Sequence, residues 1–186
     1  RNGSNQIWDF NITRDDIPVN SIDIAYPIQP GIGYIKVSQF GANTYNEFLT
    51  QLMLLREKQG CQKFIIDLRG NSGGYLHAAI KMINEFLEKN ELIVYTEGRS
   101  YPREDALANG NGMFRKNPIC VLINEWSASA SEIFAGAIQD QDRGIIVGRR
   151  SFGKGLVQQQ MPICDGSEVR ITIAHYYTPS GRSIQK

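Results

Sequence analysis

Hydrophobic and polar residues alternate along much of the first forty positions, in short runs at residues 8–13, 21–26 and 33–40. An alternation with a period of two is typical of strands that bury one face. Pro18, Pro27 and Pro30 interrupt this part of the chain, and proline removes a backbone donor that a sheet needs. We therefore predict three strands that are separated by the prolines.

The middle of the chain alternates between two kinds of apolar pattern. Apolar residues recur at spacings of three and four from Thr44 to about Gly60, and again from Leu76 to Leu87, which predicts two amphipathic helices. A third helix is predicted to follow the serines near position 130. Short continuous apolar runs, typical of buried strands, lie at residues 64–68 and 119–124, and further strands are predicted at residues 92–99 and 144–148. The polar stretch at residues 98–117 is predicted to be a loop.

Two further strands are predicted at residues 156–163 and 168–178, and the sequence C-D-G-S between them favours a hairpin turn. Strands that alternate with helices indicate an α/β core with parallel strands, to which this antiparallel C-terminal pair is added. The 186 residues are 41% hydrophobic, which is enough to bury one core. We therefore predict a single domain.

Composition excludes several classes of function. The 20 basic and 19 acidic residues give a net charge of +1, so nothing marks the chain as a binder of nucleic acid or of a membrane surface. Cys61, Cys120 and Cys164 form no C-x-x-C pair and have no cluster of histidines nearby, which argues against a metal site or a disulfide framework. We expect them to be buried free thiols. The sequence contains no run of about 18 apolar residues.

Two corners where a strand runs into a helix are candidates for chemistry, IIDLRGNSGG and VLINEWSAS. The first backbone N–H groups of a helix have no partner within the helix, and together two such corners could hold a developing oxyanion. The alternative for GNSGG is an ordinary tight turn. The alternative for the serines is that Ser129 and Glu132 form an S-x-x-E capping box, which is the favoured interpretation of this stretch taken alone.

A nucleophilic serine needs a base, and the sequence offers His77, His175 or a lysine. Neither histidine lies in a turn that would present it as a base. A lysine can serve when a pocket keeps water from its amine, and Lys154, between two glycines in GRRSFGKG, is the best candidate. The same stretch nearly matches a phosphate-binding P-loop. The match fails because Gly155 stands where a hydroxyl is required and because a strand pattern, rather than a helix, follows.

Five motifs in order carry a resemblance to a known family: GIGYIKVSQF, FIIDLRGNSGG, VLINEWSASASEIFAGAIQD, GRRSFGKGLVQ and YYTPSGRSIQ. Together they span about residues 31–185 and closely resemble the carboxyl-terminal processing peptidases, also called tail-specific proteases. The resemblance implies that Ser129 is the nucleophile and that Lys154 is the general base. It also implies that the backbone N–H groups of Ala130 and Gly74 form the oxyanion hole.

The resemblance also assigns two supporting residues. Gln158 matches a glutamine that helps to orient the lysine in some members, and Asp140 matches an aspartate that follows the serine helix. The alternative for both is an ordinary structural hydrogen bond.

The resemblance implies a ClpP/crotonase-like α/β fold and a serine peptidase that cleaves proteins near their C-termini. No metal or cofactor is expected, and neither nucleic acid nor nucleotide is an expected partner. The expected partner is a protein or peptide with an accessible C-terminal tail. A lysine base implies an activity that rises with pH. The implied location is the bacterial periplasm or cell envelope, or the chloroplast lumen.

The sequence departs from the family in what it does not contain. Members usually carry a PDZ domain before the catalytic core, and residues 1–20 are expected to be only the exit from it. The family's closing C-terminal segment is also expected to be missing, and membrane anchoring is expected only through a missing N-terminal segment. These departures leave open a second hypothesis, in which the chain is an inactive or peptide-binding scaffold without an assembled site.

Overall fold

The computed structural model describes Gly3, Phe10, Asn11 and residues 20–186. The strand predicted at residues 8–13, and the interpretation of residues 1–20 as the exit from a PDZ domain, lie largely outside the described residues. For the described part, the prediction of an α/β core with parallel strands and an antiparallel C-terminal pair is confirmed.

Nine strands and three helices are found among the described residues. The strands are β1 (Ile22–Gln29), β2 (Ile32–Val37), β3 (Lys63–Asp67), β4 (Leu92–Glu97), β5 (Glu104–Leu107), β6 (Ile119–Ile123), β7 (Ile145–Gly148), β8 (Leu156–Pro162) and β9 (Glu168–Tyr177). The helices are α1 (Thr44–Glu57), α2 (Leu76–Asn84) and α3 (Ala130–Asp140).

The strands form two sheets. The first has the order β1-β2-β3-β6-β7, in which β1 is antiparallel to β2 and the other neighbours are parallel. The second has the order β5-β4-β9-β8 and is antiparallel throughout. Because β3, β6 and β7 are parallel neighbours, their carboxyl ends lie at one edge of the first sheet, which is where α/β folds commonly place their sites.

Two local predictions were wrong. Strand β5 lies inside the stretch that was predicted to be a loop. Its sequence E-D-A-L has no strand pattern, and its partner is β4, so pairing rather than local pattern forms it. The strand at residues 21–26 was predicted to stop before Pro27, but β1 continues through it to Gln29. A proline is tolerated here because β1 is an edge strand whose outer side has no partner among the described residues.

The core is an apolar cluster beneath the first sheet, in which aromatic rings from separate elements meet. Phe86, just after α2, lies 6.2 Å from Phe48 of α1, 6.3 Å from Phe134 of α3 and 6.4 Å from Phe114, measured between ring centroids. All four side chains are fully buried, and burial of each stabilises the fold by about 1.5–3 kcal/mol relative to exposure. These contacts fix α3, and with it the start of the helix that carries the serines.

The cysteines only partly match the expectation of buried thiols. All three are free, but only Cys61 is buried, while Cys120 is half-buried and Cys164 is exposed. In residues 20–186 and the three described residues before them, no helix is both long and apolar enough to cross a membrane. Within the same part of the chain, no three His, Cys, Asp or Glu side chains are grouped so that they could hold a metal ion.

Candidate active site

Three turns meet at the carboxyl edge of the first sheet. The glycine-rich turn with Gly73 and Gly74 follows β3, the serine turn with Ser129 follows β6, and the turn with Lys154 follows β7. The sheet therefore brings together stretches that lie far apart in the sequence, because adjacent parallel strands end side by side.

Two of the three serines in the serine turn hold it to the glycine-rich turn. The hydroxyl of Ser127 donates to the Leu68 carbonyl at 2.8 Å, and that of Ser131 donates to the Asn71 carbonyl at 2.9 Å. Both serines are fully buried. Their hydroxyls are therefore committed to structural hydrogen bonds and are inaccessible to a substrate.

Ser129 differs from its two neighbours in backbone conformation and in exposure. Its φ is 54° and its ψ is −114°, which is a sparsely populated region for a residue with a Cβ and costs about 1–3 kcal/mol. It is only half-buried. A strained serine between a strand and a helix is the arrangement that presents a nucleophile in several hydrolases. The local sequence pattern assigns a candidate nucleophile only to this turn. The backbone conformation distinguishes Ser129 from the other two serines.

The glycine-rich turn packs directly against Ser129. A Cβ at Gly73 would lie 2.8 Å from the Ser129 Cβ and 3.0 Å from the Ala130 nitrogen, and one at Gly74 would lie 2.1 Å from the Phe40 carbonyl oxygen. Both glycines also have positive φ, 99° and 141°. No side chain fits at either position, and this lets the two turns touch.

Asn71 shapes the same turn. Its side chain is fully buried, donates to the Val37 carbonyl at 3.0 Å and accepts from the Gly73 N–H at 2.8 Å. The sequence reasoning did not single out this residue, because an Asn in a glycine-rich turn is common and its partner Val37 is distant in sequence.

Two backbone donors remain free where the turns touch. Neither the Gly74 N–H nor the Ala130 N–H donates a hydrogen bond to any described residue. Ala130 is the first residue of α3, so its N–H has no partner within the helix, and the helix dipole makes this end favourable for negative charge. These are the two donors that the resemblance implied.

Glu132 connects the serine turn to the lysine turn. One carboxylate oxygen accepts from the N–H groups of Ser129 at 2.9 Å and Lys154 at 2.8 Å, and the other accepts from Gly153 at 2.6 Å. The residue is only 6% exposed. The capping role that the sequence predicted for Glu132 is therefore half of its function, since the same carboxylate also holds the turn that carries the candidate base.

The Lys154 side chain is exposed. No hydrogen bond among the described residues joins its Nζ to the Ser129 hydroxyl, so the backbone of the lysine turn is fixed while the amine is not engaged. The desolvated pocket that the sequence analysis required for a lysine base is absent in this arrangement.

The geometry supports neither a histidine as the base nor a phosphate-binding P-loop at the lysine turn. His77 packs against Tyr75 and His175 against Tyr177, and no hydrogen bond within the described part of the chain links either histidine to Ser129. A P-loop needs a helix after its lysine, whereas β8 begins at Leu156.

Gln158 lies on β8 and faces a cleft beside the glycine-rich turn. The cleft has a volume of about 560 Å³ and is lined by Phe40, Gly74, Tyr75, Gln158, Gln160 and Arg170. Gln158 thus lines the same cleft as Gly74, whose N–H is one of the two free donors.

The structure does not bring Asp140 to Ser129. The two residues lie at opposite ends of α3, and a helix of 11 residues is about 16 Å long. The Asp140 carboxylate instead accepts from the backbone N–H of Ser180 at 3.0 Å and its hydroxyl at 2.6 Å, and it pairs with Arg182. Burial raises the pKa of Asp140, but hydrogen bonds from Ser180, Thr178 and Arg182 outweigh it and hold the pKa below its ordinary value of 3.8.

Asp140 nevertheless has an indirect connection to the lysine turn. It fixes the start of the C-terminal segment, residues 178–186, and the end of that segment contacts the turn. The Gly155 N–H donates to the Gln185 side chain at 3.0 Å, and the Lys186 N–H donates to the Gly153 carbonyl at 3.3 Å.

A charged cluster lies at the end of β3, where the glycine-rich turn begins. The Asp67 carboxylate, 1% exposed at the end of β3, accepts from the Tyr34 hydroxyl at 2.6 Å and pairs with Arg69 at 2.7 Å and with Lys36 at 3.6 Å. Burial raises the pKa of Asp67, but the hydrogen bonds from Arg69 and Tyr34 together hold it below 3.8. Burial, and then the Asp67 carboxylate, raise the pKa of Tyr34 to about 12.

Comparison with proteins of known sequence gives one family. The sequence profile of peptidase family S41 matches residues 31–186. The "Carboxyl-terminal-processing protease" of Synechocystis sp. is 41% identical over 182 residues, which cover 96% of this chain and 42% of the relative. The "Carboxy-terminal-processing protease" of Bartonella bacilliformis is 41% identical over 191 residues, which cover 100% of this chain and 43% of the relative.

A solved structure agrees with these matches. The photosystem II D1 C-terminal processing protease superposes with a TM-score of 0.81 at 32% identity, covering 93% of this chain and 47% of that protein. The chain spans about two fifths of the length of the curated relatives it matches. The motif order, the profile match and the structural similarity all lead to the same conclusion: the chain belongs to peptidase family S41.

Proposed function

We propose that this chain is the catalytic domain of a serine peptidase in which Ser129 is the nucleophile and Lys154 the general base. The observation that carries the proposal is the Glu132 carboxylate, which binds the backbone of both residues at 2.9 Å and 2.8 Å. A capping carboxylate has no need of the lysine turn. An active site, in contrast, requires the nucleophile and the base to be held at a fixed separation.

In the first half of the reaction, the neutral Lys154 amine takes the proton of the Ser129 hydroxyl as the oxygen attacks the scissile carbonyl carbon. The N–H groups of Gly74 and Ala130 stabilise the oxyanion that develops on the carbonyl oxygen. When the tetrahedral intermediate collapses, the C–N bond breaks and the Lys154 ammonium gives its proton to the leaving amine. The products of this half are an acyl-enzyme ester on Ser129 and a free C-terminal fragment.

In the second half, Lys154 takes a proton from a water molecule that attacks the ester. The same two N–H groups stabilise the second oxyanion, and Ser129 leaves with the proton from Lys154. Both halves require the Lys154 side chain to turn from solvent toward Ser129. We also propose that Gln158, on the strand that follows the lysine turn, orients the amine once it has turned inward.

A second candidate function is a peptide-binding scaffold of the same fold without chemistry. The observation that favours it is the exposure of Lys154, which has no hydrogen bond to Ser129 in the described part of the chain.

Covalent labelling with a small fluorophosphonate separates the two. The peptidase requires an adduct at Ser129 and loss of labelling in Ser129→Ala and Lys154→Ala. Ser100→Ala, an exposed serine in the loop after β4, is the matched control and should be labelled at the normal rate. A scaffold would give no adduct at Ser129, and this result would overturn the proposal.

We further propose that the substrates are proteins with an accessible C-terminal tail, because the matched relatives are named for carboxyl-terminal processing. Mass spectrometry of a substrate with an unstructured, apolar tail should find cleavage near that tail. Cleavage distributed evenly along the substrate would contradict this specificity.

The proposed location is the bacterial periplasm or envelope. A relative in Tetradesmus obliquus is named chloroplastic, and the relatives in Synechocystis sp. and Bartonella bacilliformis are bacterial. Fractionation of the source cells, with detection of the protein in the periplasmic fraction, tests the location.

A further inference from the structure

We propose that Arg170 makes the cleft beside Gly74 a subsite for a carboxylate of the substrate. This inference rests on the proposed peptidase function, because it names the substrate chemistry that the same site prefers.

The pairing of β8 with β9 places three polar side chains on one face of the hairpin. Gln160 lies opposite Arg170, and Gln158 lies opposite Thr172. Opposed residues in an antiparallel pair share a face, and so do residues two apart along a strand. Gln158, Gln160 and Arg170 therefore face the same side, and all three line the cleft that Gly74 and Tyr75 close from the other side.

Among the residues that the structure describes, Arg170 is the only charged side chain that lines this cleft. Its guanidinium forms no ion pair and no hydrogen bond with the part of the chain that the structure describes. Most of the other arginines in residues 20–186 are engaged. Arg56, Arg69, Arg103, Arg115, Arg149 and Arg182 each pair with an acidic side chain, and Arg143 donates to three carbonyl groups. The cleft thus carries an unpaired positive charge.

The position of the cleft would bring the positive charge of Arg170 close to a bound peptide. Gly74 lines the cleft, so a scissile carbonyl held by its N–H would place the neighbouring residues of the substrate along the cleft walls. A guanidinium binds a carboxylate with two parallel hydrogen bonds, and the amide groups of Gln158 and Gln160 can add further donors. The same charge disfavours a substrate lysine. The shared chemistry is a carboxylate, which either an acidic side chain or the free C-terminus can supply.

The test measures binding without the reaction, using the full chain with Ser129→Ala and fluorescence anisotropy. Unstructured peptides with an apolar C-terminus carry Glu or Gln at one scanned position, and a second pair differs only in a free or an amidated C-terminus. We expect about tenfold tighter binding for the carboxylate at one position or at the terminus, as for a charge-assisted hydrogen-bonded pair. Which pair shows the difference identifies the source of the carboxylate. Added salt should reduce the difference.

Two variants assign the preference to Arg170. Adding Arg170→Gln should bring the ratio of the dissociation constants of the paired peptides close to one. Adding Arg170→Glu should shift the preference to a peptide with Lys at the same position. Lys116→Gln is the matched control because it removes one exposed positive charge before β6, at the opposite end of that strand from the site, and should leave the ratio unchanged. Thermal melting establishes that each variant is folded.

The two proposals fail in different ways. If the paired peptides bind equally, or if the preference survives Arg170→Gln, the carboxylate subsite is wrong even when the small fluorophosphonate still labels Ser129. If Ser129 takes no label while the carboxylate preference depends on Arg170, the peptidase proposal is wrong and the cleft is a binding site for acidic peptides.

Discussion

At the scale of single residues, the Glu132 carboxylate accepts N–H groups from positions 129, 153 and 154. An ionised carboxylate has only acceptors, so it matches three donors without conflict. A glutamine of the same length presents one oxygen and one NH₂ group, and the NH₂ group would face backbone donors.

Glu132→Gln should therefore lower kcat/KM by about 10- to 100-fold, or ~1–3 kcal/mol, because buried N–H groups lose an acceptor and the lysine turn shifts. The measurement is kcat and KM on a cleavable peptide, together with the rate of fluorophosphonate labelling. We expect the loss to fall on kcat and on the labelling rate, since Glu132 positions the reacting groups and touches no substrate.

Glu125→Gln is the matched control. Glu125 lies in the connection between β6 and α3, shortly before the first turn of α3 that carries Glu132. Its side chain is 49% exposed, and its ion pair with Arg149 at 3.3 Å is of the surface kind that contributes little. If kcat decreases equally in both variants, or does not decrease in Glu132→Gln, the Glu132 carboxylate does not position the two turns.

The sequence does not predict contacts between individual residues that lie in different turns. The S-x-x-E spacing identified Glu132 as a cap because Ser129 is three residues away. It gave no sign of Gly153 and Lys154, which come from another turn. In the same way, Ser127, Ser129 and Ser131 look equivalent in the sequence. They become distinct only through buried hydrogen bonds to the carbonyls of Leu68 and Asn71 and through the positive φ of Ser129.

At the scale of elements, the C-terminal segment depends on α3. Asp140, the last residue of the helix, accepts hydrogen bonds from Ser180 and Arg182, and the far end of the segment contacts Gly153 and Gly155. The resemblance placed Asp140 among the site residues. Its position on α3 makes it a positioning residue for the segment that covers the lysine turn.

Asp140→Asn should loosen residues 178–186, because the new NH₂ group faces the donors of Ser180 and Arg182. Hydrogen exchange at Thr178 and Ile184, whose N–H groups donate to the Arg182 and Tyr176 carbonyls, should become at least several-fold faster. We expect a smaller loss of kcat than in Glu132→Gln.

Asp142→Asn is the control for this variant. Asp142 is exposed just beyond α3 with a φ of 48°, a conformation that Asn adopts well. Unchanged exchange of the C-terminal segment in Asp140→Asn would mean that the carboxylate does not hold it.

Element prediction from the sequence succeeded where periodicity is strong and failed where pairing decides. The stripe from Thr44 gave α1, and the apolar run before the glycines gave β3. Strand β5 was missed because only its partner β4 makes it a strand, and β1 was cut short because an edge strand accepts Pro27. The division into two sheets rests on pairings between distant segments, which no local pattern records.

At the scale of the whole molecule, buried carboxylates determine how the fold responds to acid. Asp67 has a pKa below 3.8 in the folded protein, with Arg69 and Tyr34 as hydrogen-bond donors. A group with a depressed folded pKa contributes stability above its unfolded pKa, and this contribution is lost as the pH falls through the folded pKa. In that window the unfolded chain binds more protons than the folded protein does, so the free energy of unfolding decreases as the pH decreases.

Asp67→Asn should lower the free energy of unfolding at neutral pH by about 1–3 kcal/mol, because Lys36 and Arg69 lose their acceptor. It should also flatten the fall in that free energy below about pH 4, since the titrating group is gone. Urea unfolding at a series of pH values measures both effects. Asp105→Asn, which removes a half-exposed ion pair with Arg103, is the control and should change the curve little. An acid limb as steep in Asp67→Asn as in the unmodified chain would rule out this role.

The meeting of three turns at one sheet edge has a consequence for how such a protein is made. The glycine-rich turn, the serine turn and the lysine turn come together only when β3, β6 and β7 have paired in register. Until then Ser129 lacks the oxyanion donors, and Lys154 lacks the serine, that the proposed mechanism requires, so under that proposal a growing polypeptide cannot cleave itself or its neighbours. The proposed hydrolytic site is thus the last feature to form, because it depends on the complete sheet.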